Sequence, residues 1–121
     1  MEKVMAASAN YNEPIIRFAT EEDVPTILSL IHELAAYEHA ISSVHATTST
    51  LLQTLSFPSS PTSGYAKTLL IYPRSETHTP QCAGMALYFT NYSTWRAAPG
   101  IYLEDLFVRP EYRGRDMGQR C

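Results

Sequence analysis

Two adjacent carboxylates, Glu104 and Asp105, interrupt an apolar, β-branched and aromatic run from Ile101 to Val108. Such a run reads as a buried strand. Strand side chains alternate, so the two acids should face opposite sides, and a sheet covered on both faces would partly bury one of them. Desolvation moves a carboxyl's pKa upward, towards values useful for a general base. The competing reading is a structural carboxylate paired with an arginine. After Arg109-Pro110 and a turn comes a glycine-containing basic segment, Arg113-Gly114-Arg115-Asp116-Met117-Gly118. Glycine lets backbone approach a ligand closely, and N–H groups at the start of a helix bind phosphate. A strand with a buried carboxylate feeding such a loop is a plan for catalysis on a phosphorylated cofactor.

Other residue types offer less. Tyr37-Glu38 stands at the end of a helical pattern, where an exposed aromatic and a solvated acid are the plain reading. Trp95 is either a packing residue or an aromatic wall for a cation, a contact worth about 0.5–2 kcal/mol. His32 and His39 share a helix face without a third ligand, and Cys82 and Cys121 have no metal-binding or disulfide spacing. No metal site is expected.

These residues need elements to hold them. Ile15 to Ala19 reads as a first strand, followed by Thr20 or Asp23 as a helix cap. Val24, Ile27, Leu28, Ile31, Leu34 and Ala35 recur at helical spacing, so an amphipathic helix should run to about Tyr37, with Pro25 tolerated in its first turn. A weaker helix spans Thr48 to Leu55, and Phe57 to Gly64 is a loop. Thr68 to Tyr72 and Cys82 to Phe89 read as strands separated by a loop over Pro73 to Gln81. Gly84 marks a bulge or a close backbone approach, and Asn91 to Gly100 reads as a polar turn. The order, strand, two helices, three strands and the start of a helix, predicts an α+β domain.

At 121 residues the chain holds one domain at most. Hydrophobic residues make up 45% and charged residues 17%, which indicates a globular core rather than disorder. A net charge of −3 argues against a nucleic-acid or anionic-membrane surface and suits a small cationic substrate. The longest apolar runs fall well short of a bilayer span, and the first residues lack a signal-peptide pattern. A cytoplasmic location is the expectation, with residues 1–14 a disordered leader and 15–121 the domain.

Leu103-Glu104-Asp105-Leu106-Phe107-Val108, followed by Glu111-Tyr112-Arg113-Gly114, resembles the GCN5-related N-acetyltransferases (GNAT). Within them it is most similar to the diamine branch, which acts on spermidine, spermine or thialysine. Thr94-Trp95, Gly100-Ile101-Tyr102 and the helix end Glu33-Leu34-Ala35-Ala36-Tyr37-Glu38 also match that branch, in order, over about Ile15 to Gly118. The resemblance implies the N-terminal part of a mixed sheet flanked by helices, and acetyl transfer from acetyl-CoA to a small amine. It implies Glu104 as general base through water, and a homodimer in the intact family. Main-chain groups of Leu106, Phe107 and Val108 would pair with the pantetheine arm and polarise the thioester. Arg113, Gly114, Arg115, Asp116, Met117 and Gly118 would form the pyrophosphate loop. Tyr37, Glu38, Trp95 and Asp105 would face the amine.

Two departures stand out. Asp116 occupies the first glycine position of the family's Arg/Gln-x-x-Gly-x-Gly/Ala loop and sets a carboxylate where phosphate should approach. The family also continues beyond the loop with further strands and helices, so the chain reads as truncated. Weak acetyl-CoA binding or none is expected, and the alternative reading is an inactive fragment serving, if at all, as an interaction module for a full-length relative.

Overall fold

The computed structural model describes residues 13–74 and 81–113. The leader, apart from Glu13 and Pro14, lies outside the described residues.

The amphipathic pattern becomes helix α1, Val24–Tyr37, with Pro25 in its first turn. A 3₁₀ turn, Glu21–Asp23, precedes it, and the Asp23 carboxylate accepts the Thr20 N–H at 2.7 Å. Arg17 then grips the same carboxylate at 2.8 and 3.0 Å. The buried stripe of α1 is Val24, Ile27, Leu30 and Ala35, while Leu28, Ile31 and Leu34 pack at its margin. Leu30 thus lies at the centre of a stripe that periodicity had placed around Leu28 and Ile31. The second helix, α2, Thr48–Thr54, starts at Thr47. The Thr47 hydroxyl accepts the Thr50 N–H at 3.1 Å, and the Thr50 hydroxyl accepts the Thr47 N–H at 2.9 Å.

Four strands, β1 (Ile15–Phe18), β2 (Lys67–Tyr72), β3 (Gly84–Ser93) and β4 (Ala98–Val108), form one sheet in the order β1-β2-β3-β4. Every strand pair is antiparallel. Among the described residues, parallel pairing is limited to an isolated bridge between Leu55 and Ala66. The α+β class stands, and the sheet's described part is purely antiparallel.

The helices cover one face. Leu70, Met85 and Phe107 stand side by side across β2, β3 and β4 and pack with Val24, Ile27 and Leu30 of α1. Burying each such side chain stabilises by roughly 1.5–3 kcal/mol. On the opposite face Ile71, Ala83 and Val108 cluster with Tyr112. Beside them an apolar trough of about 180 Å³ is lined by residues including Ile16, Leu69, Ala86, Leu103 and Leu106.

The β3–β4 hairpin differs from expectation. Asn91, Tyr92 and Ser93 pair with Gly100, Pro99 and Ala98, so the turn shrinks to Thr94–Ala97, with Ala97 at φ 52°. Ladder hydrogen bonds use backbone, and a two-stranded ribbon open to water on both faces tolerates polar side chains. Gly84 is a close approach: a Cβ built there would lie 2.3 Å from the Phe107 carbonyl oxygen.

Candidate active site

Strand β4 carries one residue more than β3 at its middle. Leu87 pairs with Asp105 and Tyr88 with Leu103, which leaves Glu104 without a cross-strand partner. This is a β-bulge, a device that bends a strand and re-aims a side chain. The strict alternation expected of Glu104 and Asp105 is therefore broken at Glu104. Glu104 is exposed, and Asp105 is half-buried on the face that meets the helices. Burial pushes the Asp105 carboxyl above the usual carboxylate range, and the charges of Glu104 and Glu38 push it further the same way. The desolvated acid anticipated in this strand is thus Asp105, its ionised form opposed by its sequence neighbour and by the end of α1.

The end of α1 is built by its C-terminal turn. Ala40 N–H donates to the Ala35 carbonyl at 2.7 Å and His39 N–H to the Ala36 carbonyl at 3.1 Å. With His39 at φ 58° this is a Schellman motif in which histidine holds the left-handed position usually given to glycine. The motif sets the direction in which Tyr37 and Glu38 leave the helix. Two segments far apart in sequence thereby bring Glu38 within charge range of Asp105.

A third segment completes the site. After β4, Arg109 turns inward, and its Nε and Nη2 donate to the Glu33 carboxylate at 2.9 Å each. Its Nη1 donates to the Cys82 carbonyl at 2.8 Å. A 3₁₀ turn, Pro110–Tyr112, follows. Arg113 then lays its guanidinium over the Tyr37 ring, 5.3 Å from the centroid, and near Phe107 at 5.7 Å. Sequence reasoning assigned no partner to Glu33 or Arg109. The only signal was an arginine directly after an apolar strand, a place where a charge must be solvated or paired.

Not all expected residues meet. Trp95 is 97% exposed at the hairpin turn, and about 20 Å of β4 separates Ala98 from Glu104 at the usual rise per residue. Leu106 is exposed on the open face, while Phe107 and Val108 are buried. Gly114, Arg115, Asp116, Met117 and Gly118 lie outside the described residues, so the loop is represented by Arg113 alone. Burial raises the Cys82 thiol pKa, as befits a core residue.

A sheet backed on one face by two helices, with a bulged acidic strand leading into a 3₁₀ turn, is a GNAT-like fold, shared with solved acetyltransferases. An aminoglycoside acetyltransferase from a soil metagenome, solved with sisomicin, superposes with a TM-score of 0.66 at 14% identity, over 93% of this chain and 65% of that one. In sequence the chain is similar to thialysine N-epsilon-acetyltransferase of Bos taurus, 37% identical over 106 residues. It is also similar to the L-ornithine N5-acetyltransferase of Arabidopsis thaliana, 31% identical over 141 residues. These alignments take in 88% and 86% of this chain and 61% of each relative, so the chain spans about three fifths of their length. No family model matches it. Among the described residues no helix is long and apolar enough to cross a membrane.

Proposed function

We propose that the chain carries the N-terminal part of an acetyl-CoA-dependent N-acetyltransferase site for a small amine of the polyamine, diamine or thialysine type. One observation carries the reading. Glu38, Glu104 and Asp105, from two distant segments, concentrate negative charge where a bulged strand of this fold meets the end of α1. Such a cluster suits a substrate with more than one ammonium group. Glu38 and Asp105 would hold a distal ammonium, and Glu104, freed from the ladder by the bulge, would take the proton of the reacting one through water. The neutral amine then attacks the thioester carbonyl, the C–S bond breaks, and the nitrogen's remaining surplus proton leaves with the thiolate as thiol. Main-chain groups of Leu106 to Val108 would align the thioester.

The test is acetyl transfer from acetyl-CoA to spermidine, ornithine and thialysine. It would be run on this chain and on the chain extended with the C-terminal part of a relative. Glu104→Gln should lower kcat/KM at neutral pH, with a smaller effect at high pH where the free amine needs no base. An unchanged pH profile would remove Glu104 from the role. A second reading, a non-catalytic module that pairs with a full-length relative, is favoured by the apolar trough beside β4. Co-elution with such a relative in size-exclusion chromatography, without transferase activity, would support it.

A further inference from the structure

Three contacts fix the Arg113 side chain. Its Nε donates to the Val108 carbonyl at 2.7 Å, its guanidinium carbon lies over the Tyr37 ring, 5.3 Å from the centroid, and over the Phe107 ring at 5.7 Å. Both ring distances fall within the reach of about 6 Å over which a ring attracts a cation. Phe107 is anchored in the core, whereas Tyr37 is 65% exposed on the end of α1. A guanidinium held over a ring by cation–π attraction makes no hydrogen bond to that ring's atoms and keeps its N–H groups for other partners. Among the described residues the Nε–H is the only N–H of the Arg113 side chain with a hydrogen-bond partner. The terminal N–H groups therefore project from a side chain already held in place.

We infer that Tyr37 is a positioning residue for the phosphate half of the site: its ring holds the Arg113 guanidinium so that the free N–H edge meets a pyrophosphate. The inference rests on the reading above of an acetyl-CoA site that begins at Arg113. It departs from the expectation that Tyr37 serves the amine, because one ring face is already taken by the protein's own cation. The physical reason is preorganisation. An arginine side chain loses rotamer freedom when it binds, and a ring that has already restricted it lowers that loss. The phosphate then accepts charge-assisted, bidentate hydrogen bonds from the terminal N–H groups while the ring contact is kept. The acids of this site repel a polyanion, which makes placement of one cation matter more.

Calorimetric titrations of the chain with coenzyme A, inorganic pyrophosphate and spermidine test this with Tyr37→Leu and Tyr37→Phe. Tyr37→Leu should weaken coenzyme A and pyrophosphate roughly two- to fivefold, the range a surface cation–π contact supports. Tyr37→Phe, which keeps the ring, should restore the original affinity. Spermidine affinity should be unchanged in both. In an Arg113→Gln background Tyr37→Leu should add nothing, since the two residues act as a unit. Full pyrophosphate affinity in Tyr37→Leu, or a loss confined to spermidine, would overturn the inference while leaving the acetyl-CoA site standing. Failure of the unaltered chain to bind either coenzyme A or pyrophosphate would defeat the site reading and this inference with it.

Discussion

Arg109 and Glu33, 76 positions apart, form a two-pronged ion pair in which Arg109 Nε and Nη2 each lie 2.9 Å from a Glu33 carboxylate oxygen. Arg109 is 8% exposed and also donates to the Cys82 carbonyl, so one side chain ties α1, the segment just before β3 and the end of β4. It sets the direction in which the chain leaves β4 and hence where Arg113 begins.

Arg109→Met should destabilise the fold by about 1–3 kcal/mol. Removing one partner of a fully buried pair costs about 3–5 kcal/mol, but the Glu33 side chain is 39% exposed and water can solvate it. Glu33→Gln should be milder, because an amide still accepts one hydrogen bond. Urea unfolding of both variants checks the order, and equal losses would contradict it.

Asp105→Asn should stabilise the protein at neutral pH. The folded-state pKa of Asp105 is raised, chiefly by burial and then by Glu104 and Glu38. The folded chain therefore holds this proton more tightly than the unfolded chain. Its contribution strengthens as pH falls through the raised value and weakens as pH rises through it. Thermal melts across the carboxylate range should show a smaller pH dependence of this kind in Asp105→Asn. A lower Tm at neutral pH would show that the carboxylate is structurally engaged.

Asp23 carries the opposite sign. The hydrogen bonds of Arg17 hold its carboxyl below the usual range, with a further contribution from Thr20. Stability from Asp23 is present above the unfolded pKa and is lost as pH falls through the folded one. Asp23→Asn should lower Tm at neutral pH and remove part of the acid-side loss, which the same melts would register.

His39→Gly should raise stability by up to about 1 kcal/mol, since His39 holds a left-handed conformation that glycine adopts without steric penalty. Gly84→Ala should act in the other direction, by roughly 1–3 kcal/mol, because its Cβ would meet the Phe107 carbonyl across the ladder. Faster amide exchange along β4 in Gly84→Ala would place the damage at the β3–β4 pairing.

Local signals in the chain were enough for α1 and for the apolar parts of the strands. Helical spacing from Val24 onward, Pro25 in the first turn and the end at Tyr37 all reflect interactions within a few residues, and α1 runs over Val24–Tyr37. The run from Ile101 to Val108 became all of β4 after its first three residues, for the same reason. The motif around Glu104 and Asp105 pointed to the right strand. Periodicity does not contain register, however. Which residue of β3 faces Glu104 depends on how two strands align, and the bulge arises from one surplus residue in that alignment. The polar stretch at Asn91 concealed a ladder that backbone groups make without help from side chains. Arg109 with Glu33, Arg113 with Tyr37 and Glu38 beside Asp105 became neighbours only when helix and sheet closed on a common core. Such pairings depend on through-space distance and on the loss of water, and neither is written in the spacing of residues along a chain.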